Sequence, residues 1–194
     1  LAFQSLGFVK GSGLRIHNDA NFVSVTQPES VVGCWVALED INPGCGELIY
    51  YPGSHRFPLY EFSNGSIHKD KKKDGVYGHE PYVNWLREQI EANHLEEQRF
   101  TAKKGDCLIW HAYLVHAGSP IVDPASTRYS LATHFCALDA RPNYFNHFKR
   151  ASLVKHADNC YFTSTHYDMR AIASSDELND KVMAPLGLAE SFLP

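Results

Sequence analysis

Residues 13–22, GLRIHNDANF, place His17 and Asp19 one residue apart between apolar flanks. An imidazole nitrogen and a carboxylate oxygen are donors that hold a first-row transition metal. Two histidines and one carboxylate on one face leave three coordination positions open, the arrangement of non-haem Fe(II) oxygenases. In an extended chain, side chains i and i+2 share a face. His17 and Asp19 then project together, with Asn18 as the outward-facing spacer. The tripeptide alone is weak evidence, because HxD occurs by chance in many loops. The stretch KKGDCLIWHAYLVHAGSP (103–120) offers two candidates for a third ligand, His111 and His116. Parity along one continuous strand would set them on opposite faces, but a turn at Ala112–Tyr113 would break that parity, so both stay open. Twelve residues after His116 comes Arg128. A buried guanidinium grips a carboxylate through two parallel hydrogen bonds, as a ketoacid cosubstrate requires.

Such residues need a scaffold that brings distant segments together. The first ~135 residues contain short β-type runs separated by Gly, Pro and Asn, the pattern of a sandwich or barrel. Strands are expected at 2–9, 14–20, 31–40, 46–53, 98–104, 106–112, 114–119 and 128–138, with turns at 41–46, 52–56, 103–106 and 119–126. One amphipathic helix, Glu80 to Gln98, interrupts them, with Tyr82, Leu86 and Ile90 along its apolar stripe and Trp85 and Gln89 beside it. It is an insertion between two strands. Beyond Cys136 the pattern weakens, although Ser175 opens a further candidate helix.

Composition narrows the classes. The chain has 194 residues, 44% hydrophobic and 21% charged, with net charge -4, an ordinary globular balance with no basic field for a phosphate backbone. Nucleic acid is therefore not an expected partner. The run HKDKKKDG (68–75) is broken by aspartates and reads as a solvated loop. No apolar stretch has bilayer-spanning length, so no membrane association is expected. The five cysteines, Cys34, Cys45, Cys107, Cys136 and Cys160, form no CxxC and read as buried, reduced thiols of a cytoplasmic protein.

Taken in order, HND (17–19), WVALEDINPGCGELIYYPGSHR (35–56), KGDCLIWHAYLVHAGS (104–119) and STRYSLATHF (126–135) resemble the phytanoyl-CoA dioxygenase-like family of Fe(II)/2-oxoglutarate-dependent oxygenases. The resemblance covers about two-thirds of the chain and leaves the C-terminal third unmatched. It implies an all-β core, a double-stranded β-helix of jelly-roll, cupin-like type, with the 80–98 helix inserted and peripheral helices. Residues 1–194 are expected to form a single oxygenase domain lacking its N-terminal segment. The implied cofactor is Fe(II), with 2-oxoglutarate as cosubstrate; the partners are dioxygen and a small-molecule substrate, hydroxylated at a C–H bond with release of succinate and CO2.

Carried over by position, His17, Asp19 and His116 are the iron ligands, leaving His111 as a pocket residue. Arg128 pairs with the distal carboxylate of 2-oxoglutarate, and Trp35 walls it. Ser130 adds a hydroxyl and Gln4 reaches the cosubstrate's other end. Some relatives carry a small residue in place of the aspartate and act as halogenases; Asp19 favours hydroxylation. The alternative from another class is a cupin-like metal- or ligand-binding protein without oxygenase turnover. A metal-dependent isomerase or hydrolase on this scaffold would have no need of Arg128.

Other polar residues read as structural. PGSHR (52–56) fits a tight turn closed by side-chain hydrogen bonds, with substrate contact by His55 the lesser reading. Asp40 and Asp106 sit where they would accept from turn N–H groups. Trp85 and Trp110 read as core aromatics, and His134 as a hydrogen-bonded core histidine.

Overall fold

The structure, a computed structural model, describes residues 1–63, 65–70, 74, 79–140, 142, 152–157 and 160–164. The helix expected at Ser175 lies outside them. Among the described residues, nine strands form two sheets. β1 (Ala2–Phe8), β2 (Val32–Ala37), β5 (Cys107–His111), β7 (Ser130–Phe135), β8 (Ser152–Ala157) and β9 (Cys160–Ser164) make one sheet in the order β5-β2-β7-β1-β9-β8. β3 (Leu48–Tyr50), β4 (Gln98–Phe100) and β6 (His116–Gly118) make the other, in the order β4-β3-β6. Pairing is antiparallel except between β1 and β9. This is the expected double-stranded β-helix.

Strand alternation sorts the large sheet into an inner and an outer face. In β2, Gly33, Trp35 and Ala37 are buried, while Val32, Cys34 and Val36 point the other way. Trp35 and Ala37 join Ile41, Cys45, Leu48, Ala102, Trp110 and Ala132 in the core that fills the space between the sheets. The same alternation corrects the reading of the cysteines. All five are free, and Cys45 and Cys136 are buried, but Cys34 is half-buried and Cys107 and Cys160 are exposed. Cys34 and Cys107 meet on the outer face with their Sγ atoms 3.2 Å apart.

Two segments differ from the sequence pattern. Residues 14–20 do not form a strand: His17 makes an isolated bridge to His116, and the chain then enters a 3₁₀ turn, Asp19–Asn21. Asn18 is the reason. Its side-chain Oδ1 accepts from the Asn21 N–H at 3.1 Å, capping the turn, and the residue is only 2% exposed rather than an outward spacer.

The inserted helix, α1, spans His79–Ala92 and stops six residues short of Gln98. Leu95 N–H donates to Ile90 O and His94 N–H to Glu91 O, with His94 at φ 52, which is the Schellman closure. The chain is thereby turned back so that Gln98 can open β4. Tyr82, Val83 and Leu86 are wholly buried against Phe62 and Val115. Burial of side chains this size contributes about 1.5–3 kcal/mol each, enough to fix the helix behind the start of β6. Among the described residues, no helix is long and apolar enough to cross a membrane.

Candidate metal centre

His17 and His116, far apart in sequence, are backbone partners: His17 N–H donates to His116 O at 3.0 Å and His116 N–H donates back at 2.9 Å. Their rings lie 4.4 Å apart, and the Asp19 Oδ1 is 3.8 Å from His17 Nε2 and 3.6 Å from His116 Nε2. Among the described residues, these three form the one His/Cys/Asp/Glu cluster with metal-ligand spacing, their ligand atoms within 4.8 Å of one another. The tautomers follow from the neighbours. His17 Nδ1 faces Arg15 O at 2.8 Å and His116 Nδ1 faces Leu114 O at 3.0 Å. A carbonyl only accepts, so each Nδ1 carries the proton and each Nε2 turns a lone pair toward Asp19.

The electrostatics keep this lone pair available. Burial, with the neighbouring His116 charge, pushes the His17 imidazole down to about 4, only partly opposed by Asp19. Burial pushes the Asp19 carboxyl up, but His116, His134 and His17 outweigh it and hold the group well below the usual carboxylate range. An anionic carboxylate and a neutral imidazole are the states in which such groups take a cation.

Two residues read from sequence as core also touch this carboxylate. Trp110 Nε1 donates to Asp19 Oδ2 at 2.8 Å, and its ring lies 4.9 Å from that of His116. His134 Nε2 is 3.3 Å from the same Oδ2. The Tyr82 hydroxyl of α1 accepts from the Asn18 N–H at 2.8 Å, tying the insertion to the turn that carries Asp19. Asn21 ties it again, donating from Nδ2 to Tyr60 O at 3.1 Å and Ile67 O at 2.5 Å. A polar tip on an apolar stripe was the one sequence signal for Tyr82.

The triad opens into a cavity of about 810 Å³ lined from both sheets. Arg128, 2% exposed, lines it. Its Nη1 donates to Gly46 O at 2.6 Å, its Nε has no hydrogen-bond partner, and its Cζ lies 5.2 Å from the Phe8 ring and 5.8 Å from Trp35. Burial lowers its pKa, with Cys45 and Glu47 partly opposing, but a guanidinium stays charged at neutral pH. Trp35 also lines the cavity, 2% exposed and with its Nε1 unpartnered. Gly118 of β6 lies close to the loop beside Arg128: a Cβ there would fall 2.9 Å from Ser12 Oγ.

The remaining candidates separate. Gln4 lines the cavity on β1, opposite His134. Ser130 is fully buried and outside the lining, its hydroxyl donating to Arg128 O at 3.4 Å. His111 also lies outside it, facing Glu29 O at 3.1 Å through Nε2 and accepting from Tyr113 N–H at 3.1 Å through Nδ1. The turn at Ala112–Tyr113 is present and separates it from His116. In PGSHR, Ser54 Oγ donates to Tyr51 O at 2.6 Å and accepts from Val115 N–H at 2.8 Å, so this turn braces the residue before His116. His55 is exposed and outside the lining. Asp40 and Asp106 accept turn N–H groups from Lys104 and Lys103.

A family model described as phytanoyl-CoA dioxygenase (PhyH) matches residues 4–128. Among solved structures, the chain is similar to the non-haem α-ketoglutarate-dependent carbocyclase SnoK from nogalamycin biosynthesis (TM-score 0.55, 17% identity, 73% of this chain and 51% of that one). It is similar to the non-haem monooxygenase ThoJ in its apo form (TM-score 0.55, 18% identity, 96% and 68%). It is also similar to the epimerase SnoN in complex with Fe3+, α-ketoglutarate and nogalamycin RO (TM-score 0.52, 19% identity, 73% and 51%). At such identities the likeness is one of fold. The chain spans about half the length of SnoK and SnoN. Comparison with curated proteins gave no match.

Proposed function

Because the chain belongs to the phytanoyl-CoA dioxygenase family, we propose that it is an Fe(II)- and 2-oxoglutarate-dependent oxygenase. In this reading residues 1–194 form one oxygenase domain, acting in the cytoplasm. It hydroxylates a C–H bond of a small organic substrate, with dioxygen as oxidant and succinate and CO2 as products. The observation that carries the reading is the content of one cavity. Two bare imidazole Nε2 atoms converge with Asp19 Oδ1, and the same walls hold a buried guanidinium with no carboxylate partner.

The residues fit both absent groups. His17, Asp19 and His116 would hold Fe(II) as two imidazoles and one carboxylate. The orphaned Arg128 Nε and Trp35 Nε1 are buried donors wanting an acceptor, which the distal carboxylate of 2-oxoglutarate would provide. Iron and cosubstrate together supply the activation of dioxygen and the redox chemistry.

The protein's own part is to bind, orient and exclude water. Arg128, pressed between Phe8 and Trp35, cannot swing to solvent, so it fixes one end of an anionic ligand. Gln4, across β1, would meet the other end. Leu14, Phe22 and Val23 give the cavity an apolar wall for the substrate. Asp19 as third ligand favours hydroxylation over halogenation.

The test is anaerobic addition of Fe(II) and 2-oxoglutarate. The expected result is a weak visible metal-to-ligand charge-transfer band that disappears with excess chelator. A folded protein that binds iron yet gives no band would favour a cupin-like binding protein without oxygenase turnover. Turnover without dioxygen would point instead to an isomerase or hydrolase.

A further inference from the structure

Resting on the iron-site reading above, we infer that Trp110 and His134 are positioning residues that restrict Asp19 to binding the metal through one oxygen, Oδ1. The two carboxylate oxygens face different neighbours. Oδ1 looks toward His17 Nε2 and His116 Nε2 at 3.8 and 3.6 Å. Oδ2 receives the Trp110 N–H at 2.8 Å and lies 3.3 Å from His134 Nε2, an ion-pair contact rather than an aligned hydrogen bond, since both His134 ring nitrogens are buried without a hydrogen-bond partner. An indole N–H can only donate, so Oδ2 has an assigned role before any metal arrives.

The arrangement is built into three neighbouring strands. Gly33 of β2 is paired with Trp110 of β5 on one side and with His134 of β7 on the other. A Cβ at position 33 would lie 2.4 Å from Trp110 Cε2 and 2.7 Å from its Nε1. The indole therefore occupies the space that any other residue at position 33 would fill, and leans across β2 toward the His134 side. Trp110, Gly33 and His134 form one row, the outer two meeting at a single carboxylate oxygen.

The chemical consequence concerns vacant positions. A carboxylate free to rotate could chelate through both oxygens and take a position beyond its own. Three protein ligands must leave three positions, two for a chelating ketoacid and one for dioxygen. The Trp110 donor, with the His134 ring packed beside it, holds Oδ2 away and keeps the count. Partners of this kind typically change metal affinity by about 10–100-fold.

The test compares Trp110→Phe, His134→Leu and His134→Gln with the wild type. Three readouts are followed: the anaerobic Fe(II) dissociation constant, the 2-oxoglutarate charge-transfer band at saturating iron, and the thermal midpoint of the metal-free protein. Trp110→Phe and His134→Leu are expected to bind Fe(II) about 10–100-fold more weakly, with a displaced or weakened band. His134→Gln, whose amide keeps a polar nitrogen beside Oδ2, is expected to restore both. Gly33→Ala keeps both side chains but displaces the indole and is expected to resemble Trp110→Phe. If Trp110→Phe proves unfolded, the His134 pair decides. Folded variants that bind iron within about twofold of wild type and show the wild-type band would overturn the inference and leave the proposed function standing. A wild-type protein that binds no iron would overturn both.

Discussion

The two ends of the cavity treat hydrogen bonding in opposite ways. Around Asp19 the carboxylate is supplied by the Trp110 N–H, with both ring nitrogens of the neighbouring His134 left unpartnered. Oδ2 has two nitrogen neighbours, the preceding Asn18 caps the turn, and both candidate ligand histidines have Nδ1 seated on a carbonyl. At Arg128 donors are left over, with Nε and the Trp35 N–H buried without partners. A site for a cation must be anionic and oriented beforehand, so its carboxylate is held by a donor that stabilises the empty fold. A site for an anion must keep donors unused, and each buried orphan costs about 1–3 kcal/mol until the ligand comes. One end thus adds to the stability of the metal-free protein, while the other weakens it.

The contrast can be broken most severely at Asp19. Structural zinc sites bind with about 10–16 kcal/mol over four ligands, or about 2.5–4 kcal/mol per ligand. Asp19→Ala should therefore weaken Fe(II) binding by two to three orders of magnitude in anaerobic competition, and destabilise the metal-free protein by stranding the Trp110 N–H. Iron affinity unchanged in this variant would refute the triad.

Acid probes the same end. The His17 imidazole stays neutral in the fold down to about 4, whereas in the unfolded chain it takes up a proton near 6.5. Between these values the unfolded state gains a proton that the folded state lacks, so stability falls as pH falls. At about 1.4 kcal/mol per pH unit, the loss is at most about 3 kcal/mol. Asp19, held below the usual range, adds a loss of the same sign at still lower pH. Urea unfolding of the metal-free protein at pH 7 and 4.5 should show this, with His17→Phe flattening the difference.

At the opposite end, Arg128→Met should weaken 2-oxoglutarate binding by roughly 100-fold, about 2.7 kcal/mol, with Fe(II) affinity retained. The metal-free protein should be as stable as wild type or more so, since an apolar chain replaces an unpaired buried charge. A large fall in its thermal midpoint would mean that Arg128 is structural. The smallest effect is expected at the tether: Tyr82→Phe strands the Asn18 N–H at a cost of about 1 kcal/mol, read as a lowered thermal midpoint.

What sequence revealed of this molecule tracks how local its causes are. Alternation in β2 and β7 is visible within each strand, and so are the turns bounded by Gly53 and Asp106. The end of α1 was hidden because its left-handed position holds His94, where Gly or Asn would be the usual signal. β8 and β9 escaped because β9 pairs with the first strand of the chain, a contact no local pattern announces. At the site, the proposed ligand set rests in the sequence on the family resemblance, and the fold brings His17, Asp19 and His116 together. The turn at Asp19 was readable, since Asn followed by Asp is a helix-start signal, but strand parity was preferred. Trp110 is the core aromatic its sequence context indicates; only the position of its N–H reveals a second task.

The paired backbone hydrogen bonds between His17 and His116 bear on the entropy of assembly. Bringing together residues about a hundred positions apart costs about 4 kcal/mol in chain entropy by the loop-closure relation. Here that closure is made by main-chain atoms and by the sheets on either side, whether or not a metal is present. An ion entering the site meets a loop already closed, and its binding free energy is not drawn down by ordering the polypeptide.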